Sequence, residues 1–130
     1  TPASTTARVV FSNPDGIPVT VNAEIADNAF TMAKGLMFRK SLDGNAGMLF
    51  VFPNADYHGF WMMNTTIPLD AIFIAEDGRV VDIIGMDPCS NILGCHTYKP
   101  KETAIYVLEV NQGFSVANSI ERGKSRLVIE

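Results

Sequence analysis

The segment from Phe60 to Asp70 carries the densest set of side chains that could do chemistry. It reads Phe-Trp-Met-Met-Asn-Thr-Thr-Ile-Pro-Leu-Asp and holds the only Trp of the chain and two of its six Met residues. Aromatic and thioether side chains with a few polar groups are typical of pockets that bind small ligands. Core packing is the alternative, with Phe60 and Met62 on one face of a strand and Trp61 and Met63 on the other.

Carboxylates in and beyond this segment indicate a second kind of chemistry. Asp70 and Glu109 could act as the acid and the base of a hydrolase if the fold placed them across a cleft. Each also has an ordinary explanation. Asn64 and Asp70 flank Pro68, where their side chains can satisfy backbone donors in a tight turn. Glu109 lies in Leu-Glu-Val, and an acid on a strand usually faces solvent.

Two cysteines, Cys89 and Cys95, are the only ones in the chain. An even number at close spacing is typical of a small disulfide loop in an oxidising compartment, although two reduced thiols would also fit the pattern. Cys95 and His96 are neighbours, and neighbours on a strand point to opposite faces, which disfavours a Cys–His nucleophile. The spacing is not that of a zinc site. We therefore predict neither a metal nor a cofactor.

Length and composition limit the classes of protein that fit. The chain has 130 residues, of which 47% are hydrophobic and 18% charged, with a net charge of −4. These values predict one folded domain. No apolar run approaches the roughly 18 residues of a membrane span, and the scattered Lys and Arg residues disfavour nucleic-acid binding. The small polar residues at the start predict a flexible tail over 1–7, as after removal of an export signal, and a single domain over 8–130.

The helical pattern occurs mainly after the second strand. Val19 to Ile25 alternates with polar residues and predicts a half-buried strand. Asp27 or Asn28 can then cap a helix from about Ala29 to Ser41. Its buried stripe would comprise Phe30, Ala33, Leu36 and Met37, with Gly35 inside the helix where another backbone packs closely. A second short helix is possible over Ser115–Arg122.

The remaining chain predicts seven or eight short strands that do not alternate with helices. A doubly wound parallel sheet is therefore disfavoured. The expected fold class is mainly β with one helix, with α+β as the wider class. Its architecture would be an antiparallel sandwich or a partly closed barrel, with the helix over one opening.

Five short motifs and a Pro-Cys pair occur in an order that resembles the DUF192 family, also called UPF0127, over about residues 8–129. The resemblance implies a compact β-rich fold with one helix after the second strand, and many family members look exported. It implies no activity, because the function of the family is unknown. The motifs are Gly35-Leu36-Met37-x-Arg39, Gly47-Met48-Leu49-Phe50-x-Phe52, Phe60-Trp61-Met62-x-Asn64-Thr65, Ile67-Pro68-Leu69-Asp70 and Val107-Leu108-Glu109-Val110, with Pro88-Cys89 before the last.

The motif positions also suggest which residues would share a site. Met63 departs from the family, which often has Lys there, and a different ligand or affinity would follow if that Lys contacted a ligand. The cysteine pair varies in the family, so a disulfide would stabilise the fold rather than serve the common function. The candidate site residues are Arg39, Trp61, Met62, Asn64, Asp70 and Glu109.

Three hypotheses of function follow. The first is a non-enzymatic binding module outside the cytoplasm, which holds a small molecule, glycan or peptide in a groove lined by Trp61, Met62 and Asn64. The second is a hydrolase that uses Asp70 and Glu109. The third is a structural or accessory partner of an envelope protein.

Overall fold

Nine strands and two short helices form the part of the chain that the computed structural model describes, residues 5–89 and 94–130. β1 begins at Thr6, so Thr6 and Ala7, which were expected to lie in the tail, instead pair with Glu24 and Ala23. The elements are β1 Thr6–Ser12, β2 Val19–Ala26, α1 Ala29–Lys34, β3 Ala46–Asp56, β4 Phe60–Trp61, β5 Leu69–Ile74, β6 Val80–Met86, β7 Thr97–Tyr98, β8 Ala104–Asn111, α2 Phe114–Ala117 and β9 Arg126–Ile129.

Seven of these strands form one sheet in the order β6-β5-β8-β3-β2-β1-β9, while β4 pairs with β7. The mainly β class is confirmed. All pairs are antiparallel except β2 with β3, which are parallel because the chain returns through α1 between them. The strands exceed the predicted seven or eight because the two-residue β4 and β7 form a small sheet of their own.

Backbone hydrogen bonds join the two ends of the large sheet. The Leu127 N–H donates to the Gly78 carbonyl at 2.7 Å, and the Val80 N–H donates to the Ser125 carbonyl at 2.9 Å. The sheet is thus curled into a partly closed barrel, the second of the two predicted architectures. All seven strands contribute to the apolar cluster on its concave side, the inner core, which consists of Val9, Phe11, Val21, Ala23, Leu49, Ile72, Ile74, Val80, Leu108, Val110, Ile120 and Leu127.

The opposite face of β3, β8, β5 and β6 carries a second apolar cluster. The segments around α1 and β4 cover this face and contribute Leu36 and Met62 to it. This outer core consists of Ala26, Leu36, Met48, Phe50, Met62, Ile67, Leu69, Ala71, Phe73, Val81, Met86, Ala104 and Val107.

Helix α1 is shorter than predicted, and the predicted buried stripe is absent because no residue of the helix is buried. Asn28 caps it, since its side chain accepts from the Thr31 N–H at 2.9 Å. Gly35 adopts a φ of +48°, so it ends the helix instead of lying inside it. Phe30 was expected to be buried but is 68% exposed, whereas Leu36, beyond the helix end, is buried. α2 is likewise shorter than its prediction. Neither helix of the described chain has the length and apolarity to cross a membrane.

Candidate functional site

A partly open cavity of about 180 Å³ lies between α1 and the outer core. This volume exceeds the roughly 150 Å³ of an apolar cavity that holds one benzene molecule. The segment Met32–Met37 forms one side of the cavity, and Met62 and Glu109 also line it. The other side is aromatic and consists of Phe50, Phe52, Phe60 and Trp61.

Glu109 is a buried acid on the face of the sheet that carries the outer core. It lies in β8 between Met48 of β3 and Ala71 of β5, both of which belong to the outer core. The residue is 4% exposed. No described group donates a hydrogen bond to its carboxyl. Burial raises the pKa of Glu109 to about 8, so the acid is largely protonated at pH 7 in the ligand-free protein.

The aromatic side of the cavity is held by ring contacts. The Phe60 ring meets Phe50 edge to face at 4.9 Å between centroids and Phe73 at 6.0 Å. Phe52 stacks on His58 at 3.6 Å. Trp61 is 51% exposed at the rim, whereas Met62 is buried. Trp61 and Met62, which were predicted on opposite faces, thus differ in burial, and both line the cavity.

Two loops beside the cavity hold residues in the left-handed backbone region. Phe38 has a φ of +66° and Asn64 a φ of +55°. The Phe38 N–H donates to the Asn64 carbonyl at 2.9 Å, which fastens the two loops together. A bulky residue in this region is strained, and such strain is concentrated at functional sites. Met37 and Thr65, next to these two residues, line the cavity.

Arg39 lies outside the cavity lining and binds a protein carboxylate. Its guanidinium forms a two-pronged ion pair with Glu24 of β2, in which Nη2 lies 2.7 Å from Oε1 and Nη1 contacts Oε2. The hydrogen bond with Glu24 raises the pKa of Arg39 further above its usual value. Arg39 therefore anchors the loop after α1 to the sheet, and its predicted role in contacting a ligand is not supported by its position.

Asp70 has a structural role on the other face of the sheet. One carboxylate oxygen, Oδ2, accepts from the Gly113 N–H at 3.2 Å and from the Ser115 N–H at 3.1 Å, at the start of α2. Asp70 pairs in register with Val110, whose side chain belongs to the inner core. Glu109 faces the outer core, so the sheet separates the two carboxyls. The paired acid and base of the hydrolase hypothesis are not brought together.

Of the six predicted site residues, the fold gathers Trp61, Met62 and Glu109 around the cavity and holds Asn64 beside it. The sequence interpretation missed the side formed by Met32–Met37, because the apolar spacing of that segment was assigned to core packing. A usable signal for Glu109 was present. It interrupts an otherwise apolar strand, and a strand that is apolar on both faces is buried on both.

The predicted disulfide between Cys89 and Cys95 is present, with the two Cα atoms 5.9 Å apart. Cys89 also forms isolated bridges with Met63 and Thr65. The disulfide loop therefore fixes the segment that carries Asn64. The interior of the loop, residues 90–93, lies outside the described residues.

Replacing both Cys89 and Cys95 with Ser is expected to lower the free energy of unfolding by about 2 kcal/mol, because a cross-link over a short loop restricts the unfolded chain only modestly. Urea unfolding of the oxidised protein and of the double variant measures the difference. An unchanged midpoint would show that the disulfide does not stabilise the fold.

The sequence profile of the DUF192 family, described as "Uncharacterized ACR", matches residues 10–127. The chain therefore belongs to the DUF192 family. It is similar to a UPF0127 protein from Pyrococcus furiosus, with 32% identity over 113 residues that cover 83% of this chain and 87% of that protein.

Two solved structures share the fold. One is a candidate transcription regulator from Sinorhizobium meliloti 1021, with 30% identity, a TM-score of 0.89, and coverage of 98% of this chain and 95% of that one. The other is a protein of unknown function from Novosphingobium aromaticivorans DSM 12444, with 31% identity, a TM-score of 0.86, and coverage of 95% and 84%.

Proposed function

We propose that this protein is a binding module outside the cytoplasm, which holds a small molecule, or a single group of a glycan or peptide, in the cavity beside α1. The observation that carries the proposal is the Glu109 carboxyl, which lines the aromatic cavity and accepts no hydrogen bond from a described group. Burying a polar group without a hydrogen bond costs several kcal/mol. Proteins keep such groups mainly where function requires them.

Binding is favoured over hydrolysis by the chemistry around the cavity. Glu109 is the one carboxyl among the described residues that line it, and Asp70 is held on the opposite face. General acid–base hydrolysis with these two groups would need both on one side. The net charge of −4 likewise gives no support for extending the regulator description of the Sinorhizobium protein to DNA binding by this chain.

The disulfide supports a location outside the cytoplasm, because disulfides persist in oxidising compartments. A second candidate function is that of an accessory protein that binds an apolar segment of an envelope protein. The exposed rings around α1 favour it, since Phe30 is 68%, Phe38 72% and Trp61 51% exposed. In both cases Trp61 at the cavity rim would contact the ligand.

The Trp61→Ala variant is expected to weaken ligand binding at least about fivefold, because an aromatic contact contributes roughly 1 kcal/mol. Its free energy of unfolding should change by less than about 0.5 kcal/mol, as is usual for exposed positions. Saturation-transfer NMR with a set of single-ring compounds measures the binding, and urea unfolding measures the stability.

Ile17→Ala is the matched control, since Ile17 is 63% exposed and does not line the cavity. It should bind the same compounds as the wild-type protein. If Trp61→Ala unfolds the domain, Trp61 is a core residue and the rim site is withdrawn. Binding that is equal in the wild-type protein and Trp61→Ala would place the ligand elsewhere.

A further inference from the structure

Glu109 differs from the other two buried acids in having no hydrogen-bond or ion-pair partner among the described residues. Asp70 accepts from the Gly113 and Ser115 N–H groups. Asp82 accepts from the Ile83 N–H at 2.9 Å and the Lys101 N–H at 3.0 Å. The fold therefore satisfies buried carboxylates with backbone donors where they serve structure. No described backbone group donates to the Glu109 carboxyl, and the residue lines the cavity instead.

The cavity walls suit a positive charge. Aromatic ring faces attract cations, most strongly where the cation is removed from water. Methionine side chains are flexible and pack against apolar groups of irregular shape. Met32, Met37 and Met62 line the cavity. The Glu109 carboxylate would complete a site in which the aromatic rings contact the apolar part of a ligand and the acid pairs with its positive charge.

We propose that the cavity binds an ammonium group attached to an apolar group about the size of one aromatic ring or one side chain, with the carboxylate of Glu109 as its counter-ion. This inference rests on the proposed function, and it names the class of ligand. The ammonium group could belong to a free small amine or to a lysine side chain of a peptide, which present the same chemistry to Glu109. The cavity volume of about 180 Å³ admits one such group.

Several basic side chains lie on or near the cavity in the described part of the chain, including Lys99, whose side chain lies beside Gly59 of the lining. On α1, Lys34 lines the cavity and forms no ion pair with Glu109. Arg39, after α1, is bound by Glu24 on β2. His58, after β3, stacks on Phe52, and its Nε2 lies 2.8 Å from the Asn54 carbonyl oxygen. In the ligand-free protein, none of these described groups forms an ion pair with Glu109, so a ligand cation could pair with its carboxylate.

Benzylamine and benzyl alcohol test the inference, because they differ in charge and share a ring and a similar size. Both are titrated into the full chain at pH 6, 7 and 8 and followed by NMR. Benzyl alcohol should bind equally at each pH. Benzylamine should bind about tenfold more tightly at pH 7 than at pH 6, because Glu109 must lose its proton to pair with the ammonium ion. The increase should become smaller as the pH approaches the pKa of Glu109, about 8.

The Glu109→Gln variant should keep benzyl alcohol binding and lose both the preference for benzylamine and its pH dependence. His58→Gln is the control for the neighbouring imidazole and should retain the pH dependence. Nα-acetyl-lysine amide distinguishes the two sources of the ammonium group. If it binds the wild-type protein more tightly than benzylamine does and this binding is lost in Glu109→Gln, the source is a peptide lysine. If it binds more weakly than benzylamine, the source is a free amine.

Two results would overturn the inference while the proposed function stands. One is benzylamine that binds no better than benzyl alcohol at pH 8. The other is benzoate that binds more tightly than benzylamine and strengthens as the pH falls, since a protonated Glu109 would then donate to an anion. If none of the three ring compounds binds, the proposed function fails as well.

Discussion

The Glu109→Gln variant is expected to be more stable than the wild-type protein at neutral pH, by about 3 kcal/mol at pH 7. Burial raises the pKa of Glu109 from 4.5 to about 8 in the folded protein. The unfolded chain therefore releases this proton near pH 4.5, whereas the folded protein retains it until about pH 8. Between these values the folded state binds more protons, so the stability of the wild-type protein falls as the pH rises.

Glutamine has nearly the shape of the protonated acid and carries no charge at any pH. The stability difference should therefore be small near pH 4.5 and grow by about 1.4 kcal/mol per pH unit up to about pH 8. Urea unfolding of both proteins at pH 5, 6, 7 and 8 measures it. Glu76→Gln, at an exposed acid, is the control and should show no such trend. A difference that is constant with pH would mean that Glu109 is not desolvated.

A gain in stability from removing a site residue would itself support the functional interpretation. Residues that serve binding are often poor choices for stability, and their replacement commonly stabilises the fold while function is lost. Glu109→Gln is expected to show both effects in one protein: higher stability at neutral pH and loss of the preference for amines.

The Gly78→Ala variant is expected to lose about 3 kcal/mol of unfolding free energy through two effects, backbone strain and overpacking. Gly78 has a φ of +91°, and a Cβ atom there would lie 2.5 Å from the Leu127 carbonyl oxygen. That oxygen belongs to the backbone and cannot move without disturbing the backbone hydrogen bonding between β9 and the turn that joins β5 to β6. The Leu127 N–H, which donates to Gly78, should then exchange with solvent faster.

Gly16→Ala is the matched control for this variant. Gly16 has a φ of +78°, and a Cβ atom there would meet nothing within 4 Å. It should therefore lose only the strain of about 1 kcal/mol. Urea unfolding and amide exchange of both variants separate strain from the clash. Equal losses of unfolding free energy in the two variants would contradict the close contact between β9 and the turn that joins β5 to β6.

The sequence was sufficient to predict the elements whose signals are local. Alternation predicted β2 because its side chains face the core and solvent in turn. Asp27 or Asn28 predicted the start of α1, because capping depends on three following residues, and Asn28 is the cap. The helix end was misplaced, because the helical spacing of Leu36 and Met37 continues beyond Gly35. The helix ends at Gly35 despite this spacing, because Gly35 has a positive φ and the Phe50 ring lies close to it. Phe50 belongs to a later strand, so this contact is not local in the sequence.

The cavity depends on contacts between distant parts of the chain and was only partly predictable. Trp61 and Met62 were recognised as candidates because their residue types are unusual. The separation of Asp70 from Glu109 depends on the register of β5 against β8, since a shift of one residue would move Asp70 to the other face. No local pattern sets that register, so the hydrolase hypothesis could be decided only by the fold.

The most direct test of this account is an NMR titration of the Glu109 side-chain carboxyl carbon from pH 4 to pH 10, with and without benzylamine. An inflection near pH 8 is expected in the free protein and a lower one with benzylamine, because a bound cation favours the ionised acid. An inflection near the ordinary value of 4.5 in the free protein would show that the carboxyl is solvated or already paired, and would contradict the site.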